Sequence, residues 1–140
     1  MSAELRLIDQ AEADRLFRER TNPEAEGPVH FPEFQGAHLR DVTLHMSALA
    51  GPVNFSCSVL ERVHLRGSNL DDAGFDQTRL TDCDLSHPNA ARLWAEGAVF
   101  EGCDFTQSYL RRSHFKSARL ERCDLTQAEL AASFAVGASF

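Results

Sequence analysis

Residue types that carry chemistry are scarce in this chain of 140 residues: one tryptophan, one tyrosine, two methionines and four cysteines. Cys57, Cys83, Cys103 and Cys123 form no C-x-x-C pair, which excludes the common zinc and dithiol spacings. No apolar run reaches the roughly 18 residues of a membrane-spanning helix. The opening stretch MSAELRLIDQAEADR mixes charges throughout and lacks an apolar segment, so no secretion signal is expected and the expected location is cytoplasmic. Basic residues are in the minority, 14 Lys and Arg against 21 Asp and Glu, for a formal charge of -7. Residues 1–33 hold eight acids and four bases, and residues 34–140 hold thirteen and ten. The larger part is therefore almost balanced, which excludes a basic nucleic-acid surface and a strongly acidic one alike. At 43% hydrophobic and 25% charged, the chain has the composition of a soluble folded domain.

What is present is a period. From Phe34 a large apolar residue returns every fifth position: Phe34, Leu39, Leu44 and Leu49, then, after one inserted residue near Gly51, Phe55 onward to Phe140. Of 22 such central positions 19 are Leu or Phe, the exceptions being Ala90, Ala95 and Ala135. Two places before each centre stands a compact residue such as Ala37, Val42, Ser58, Val63, Ser68 or Ala73. A period of five matches neither the 3.6 of a helix nor the 2 of a strand. It matches a chain that turns a corner every five residues, with the centre and the residue two before it pointing inward.

Four sides then make a square coil of twenty residues. Cys83, Cys103 and Cys123, in the recurring TDCDLS, EGCDFT and ERCDLT, are spaced by twenty and stack as one column. A second column holds Phe34, Phe55, Phe75 and Phe115, with Ala95 and Ala135 in its remaining slots. Stacking of coils about 4.8 Å apart is the spacing of a β-solenoid.

The triplets Cys83-Asp84-Leu85, Cys103-Asp104-Phe105, Cys123-Asp124-Leu125, Ser68-Asn69-Leu70 and Ala128-Glu129-Leu130 resemble the pentapeptide-repeat family, whose pattern is Ala-(Asp/Asn)-Leu-x-x. The resemblance covers residues 34–140 and implies a right-handed quadrilateral β-helix, an all-β solenoid. Residues 1–33 are then a cap and linker, with a helix expected from about residue 3 to 20 that presents Leu5, Ile8, Ala11 and Leu16 on one face. Asn22-Pro23 and Gly27-Pro28 end it.

Residues 86–99, SHPNAARLWAEGAV, fit the repeat least well. Because Leu85 and Phe100 are three whole pentads apart, three distorted sides of one coil are preferred to an extruded loop. Trp94 is either an exposed contact point or a ring folded back to fill the space left by Ala90 and Ala95, and the second reading is preferred. At the C-terminus the repeat stays in register to Phe140, so the last coil is a candidate contact for a homodimer stacked end to end.

No catalytic constellation emerges, so no enzyme activity and no cofactor or metal is expected. The three stacked cysteines read as small packing residues, while Cys57, at an outward corner, is the thiol expected to react. Asp84, Asp104 and Asp124 read mainly as caps of local backbone and secondarily as an acidic stripe. With Trp94 they make up the candidate interaction surface. The expected function is a protein-interaction or scaffold rod with an unidentified protein partner and no direct contact with nucleic acid or membrane. The family resemblance adds an alternative, in which the rod imitates DNA and binds DNA gyrase or topoisomerase IV, protecting or inhibiting it.

Overall fold

The structure, a computed structural model, describes residues 6–21, 34–44, 53–86, 90–130, 133 and 137, with helix side chains described as far as Arg15. Six strands lie in one parallel sheet in chain order: β1 Arg6–Ile8, β2 Ala37–Arg40, β3 Val59–Glu61, β4 Arg79–Thr81, β5 Val99–Glu101 and β6 Arg119–Glu121. Each partner from β3 onward lies twenty residues away, as in Leu60↔Leu80, Leu80↔Phe100 and Phe100↔Leu120. The step from β2 to β3, Leu39↔Leu60, absorbs the single insertion. The chain is an all-parallel, right-handed, four-sided β-helix whose β2-to-β6 steps make four turns, closed at its N-terminal end by a helical cap.

The corners explain the period. Residues 57, 62, 67, 72, 77 and 82, and every fifth residue from 92 to 127, have φ between 51° and 68°. Only three of these positions are glycine, namely Gly67, Gly97 and Gly102. A left-handed conformation costs an L-residue roughly 1–2 kcal/mol. Ladder hydrogen bonds on both sides of each corner, such as Leu65 N–H to the Asp84 carbonyl at 2.8 Å, hold it there.

Four walls follow in chain order. The first has its centres at Phe34, Phe55, Phe75, Ala95 and Phe115, and its outward ladder runs Asn54, Gly74, Trp94, His114. The second is the strand sheet. The third carries Thr43, His64, Asp84, Asp104 and Asp124, and the fourth carries Tyr109 and Glu129. Inside the first wall the rings stack, Phe34 on Phe55 at 5.2 Å and Phe55 on Phe75 at 5.0 Å.

The weak coil stays in the wall. Residues 90–99 keep the ladder, with Trp94 bridging Gly74 and His114, while residues 87–89 lie outside the described residues. This coil exchanges large for small: Ala90 and Ala95 sit at centres, but Leu93 takes the compact slot and is buried. Phe100 leans in from the second wall, 6.5 Å from Phe75 and 6.5 Å from Phe115, across the gap at Ala95. Such a volume-conserving exchange keeps a core packed. An apolar cavity of about 10 Å³ remains beside Ala90, lined by side chains including Leu70 and Phe105. Trp94 does not fill that space. It occupies the place just before a centre, which alternation turns outward, and it is 45% exposed.

The cap also differs from expectation. Residues 6–8 are a strand, not part of a helix; Ile8 sits beside Leu39 in the second-wall column and is buried. The RLI triplet therefore behaves as one more pentad side. The helix α1 Gln10–Thr21 starts after Asp9, whose carboxylate accepts the Glu12 N–H at 2.9 Å as an N-cap. On α1 it is Ala13 that is buried, while Ala11 is exposed. Leu5 and the Leu16 side chain lie outside the described residues.

Candidate functional site

Most regular polar positions serve the coil itself. Asp84, Asp104 and Asp124 each turn Oδ1 onto the backbone N–H two residues on, at 3.0, 2.9 and 2.9 Å. The same oxygens accept the hydroxyls of Ser86, Thr106 and Thr126. Hydrogen bonds from Thr126 hold the Asp124 carboxyl below its ordinary value. Asn54 and Asn69 make the same Asx turn with Ser56 and Asp71. The three aspartates are thus bridge neighbours stacked on the third wall.

The compact inward slot has its own rule. Ser58, Thr78, Ser108 and Ser113 donate their hydroxyls to the carbonyls of Phe34, Phe55, Leu85 and Ala90, each a centre in the preceding coil. Cys83, Cys103 and Cys123 follow it, donating S–H to Leu60, Leu80 and Phe100 at 3.4, 3.5 and 3.4 Å. Residue pattern alone suggests apolar packing for these slots; the structure shows in addition a donor aimed at the carbonyl of a centre in the preceding coil. The Cys123 and Cys83 thiols, together with burial, push the Cys103 thiol up. Cys57 is exposed, and all four cysteines are free thiols.

The first wall is the surface with chemistry to spare. The Trp94 indole stacks on the His114 imidazole at 4.2 Å and 3°. Charge is graded along this wall. Its Gly74 row carries Asp71, Asp72 and Asp76; the Trp94 row carries Arg92 and Glu96; the His114 row carries Arg111, Arg112 and Lys116. Arg92 holds Asp72 through two hydrogen bonds of 2.7 and 2.9 Å, which keeps the Asp72 carboxyl low. Lys116 reaches Glu96 at 3.9 Å, and Arg111 reaches Glu129 at 3.6 Å.

The candidate interaction residues do not converge. Trp94 lies on the first wall and the aspartates on the third. On the fourth, Tyr109 is half exposed above a shallow groove of about 450 Å³ that also involves Gln107, Gln127 and Glu129. Among the described residues no group of three or more His, Cys, Asp or Glu side chains is placed to hold a metal ion, and no helix is long and apolar enough to cross a membrane. One residue escaped sequence reasoning: Gln10, whose side chain docks on the Thr43 backbone. An amide in a helical first turn carries no distinguishing signal in sequence.

No curated protein matches the sequence. Among solved structures, two trypsin-treated forms of QnrB1, a plasmid-mediated fluoroquinolone resistance protein, share the fold. They superpose with TM-scores of 0.54 and 0.52 at 14% and 13% identity. The chain covers 59% and 58% of their lengths, less than two thirds, and 79% and 78% of itself is matched. The sequence matches the family of pentapeptide repeats in eight copies across residues 53–86 and 96–131, half of the chain. With the twenty-residue ladder and the Asx-capped corners in place, the chain belongs to the pentapeptide-repeat family.

Proposed function

We propose that this protein is a non-catalytic interaction module, a rigid rod that presents flat walls to a protein partner in the cytoplasm. One observation carries the reading: the regular polar groups are turned onto the coil's own backbone, as in Asp104 with Thr106 and Ser113 with the Ala90 carbonyl. What remains outward is flat and wall-like. Flat faces suit large partners, whereas small-molecule sites are enclosed clefts. Four free thiols agree with a reducing compartment. Affinity capture from the native host, followed by titration of the purified partner, tests this. A stoichiometric complex is expected; turnover of a substrate without any complex sinks it.

A second reading is binding to DNA gyrase or topoisomerase IV in place of duplex DNA. The bridged column Asp84, Asp104, Asp124 supports it, as a strip of carboxylates about 4.8 Å apart. A supercoiling assay decides: this reading requires inhibition or drug protection at micromolar protein, and no effect there removes it.

A further inference from the structure

The graded first wall is complementary to itself. Its ladder is Asn54, Gly74, Trp94, His114, with Trp94 as the central exposed ring. One end is acidic through Asp72 and Asp76, and the other is basic through Arg112 and Lys116. Asp72 and Arg112 lie at the corner before the wall, and Asp76 and Lys116 at the corner after it. Two copies can face each other here with their coil axes parallel or antiparallel, and charge distinguishes the two.

A two-fold axis along the rod sets Asp72 against Asp76 and Arg112 against Lys116, a repulsive match at both ends. A two-fold axis across the wall, through the Trp94 row, sets Asp72 against Arg112 and Asp76 against Lys116. It also sets the His114 ring opposite Gly74, where the Asn54 amide oxygen and the Ser56 hydroxyl lie close over the backbone. In the middle row Arg92 and Glu96 face their own copies. Each is already turned along its own chain, Arg92 to Asp72 at 2.7 Å and Glu96 toward Lys116 at 3.9 Å. The two Trp94 rings meet at the axis, as an isologous contact requires.

The geometry points to a second copy of this chain, docked antiparallel on the first wall and centred on Trp94. This interface is distinct from the end-to-end contact above, though it rests on the same view of the walls as binding surfaces. Four ladder rows about 4.8 Å apart make a small patch. Patches of that size support micromolar rather than nanomolar association. Trp and Arg at the centre and rim are the residue types that carry such contacts.

Sedimentation equilibrium of the full chain from about 10 to about 500 µM tests it, at low and high salt. A monomer–dimer equilibrium weakened by salt is expected. Trp94→Ala, and separately Arg112→Glu with Lys116→Glu, should each raise the dissociation constant about tenfold. Asp72→Lys with Asp76→Asn makes the opposite variant, and the Asn keeps the acceptor that Asp76 offers to the Glu96 N–H at 2.8 Å. Each charge variant should associate about tenfold more weakly alone, and an equimolar mixture should regain the wild-type affinity, with circular dichroism confirming that both are folded. A wild-type chain monomeric at the highest concentration overturns the proposal. So does a dimer indifferent to these changes but abolished by Leu130→Glu, which would assign association to the C-terminal coil.

Discussion

The Gln10 carboxamide lies on the Thr43 backbone as a neighbouring peptide group would: Nε2 donates to the carbonyl at 2.9 Å, and Oε1 accepts the N–H at 2.7 Å. Thr43 opens the third-wall ladder, so its upper edge would otherwise face water or another strand. β1 does the same for the second wall with main chain. One strand and one side chain thus close the edges of two adjacent walls, which is how a solenoid protects itself from edge-to-edge pairing.

Gln10→Ala should lower stability by about 1–2 kcal/mol, the worth of two partly exposed hydrogen bonds. Gln10→Glu should do no better, because it still accepts from Thr43 N–H but sets a carboxylate against the Thr43 carbonyl and Asp14. Chemical denaturation of both variants checks this, and unchanged midpoints would show that the amide contact is idle.

Leu93 and Trp94 are adjacent but should behave oppositely. Leu93 is buried in a slot that elsewhere on the first wall holds Val53, Ala73 or Ser113, and it makes up volume missing at Ala90 and Ala95. Leu93→Ala should cost about 2–5 kcal/mol by enlarging the existing cavity. Trp94→Ala, which removes an outward ring, should cost the monomer less than about 1 kcal/mol. Thermal melts at low protein concentration compare the two. The reverse order would mean that the indole, not Leu93, completes the core.

Thiol labelling should proceed by position in the coil. Cys57 is exposed and should react first; Cys123, half buried, should follow. Cys83 and Cys103 are buried, and the Cys103 thiol is further held in its protonated form by its neighbours, so both should react only on unfolding. Mass spectrometry over a labelling time course in native buffer and in denaturant reads this order directly.

Acid should loosen the corners. Arg62 hydrogen-bonds Asp41 and Arg92 hydrogen-bonds Asp72, so both carboxyls sit below their ordinary value of 3.8 in the folded chain. A depressed folded value means that the stabilisation is complete above the unfolded value and is lost as pH falls through the folded one. Stability should therefore hold steady above about pH 5 and decline below about pH 4. Asp72→Asn should lower the plateau slightly and flatten part of the decline. A variant with an unaltered acid slope would show that the Arg92 contact contributes nothing.

Much of the architecture could be read from residue spacing, because spacing reports which side chains share a wall. Phe34, Phe55 and Phe75 at intervals of 21 and 20 could stack only if coils closed in twenty residues with one insertion, and they do, at 5.2 and 5.0 Å. The aspartates before their centres carried the Asx turns in their residue type. The start of α1 was less legible: RLI reads as the opening of an amphipathic helix, and only pairing with β2 made it a strand.

The repeat is written in residue spacing: five residues to a side, four sides to a coil, large residues at centres and compact ones two before. That information is local and periodic, and every coil restates it. Tertiary structure alone decided how the irregular coil is filled, with Leu93 and Phe100 rather than Trp94 closing the gaps at Ala90 and Ala95. It also placed Gln10 on Thr43 and set acidic and basic rows at opposite ends of one wall. These outcomes depend on contacts between residues 15 to 33 positions apart whose side chains compete for one space, and such competition is settled by volume and hydrogen-bond geometry rather than by period.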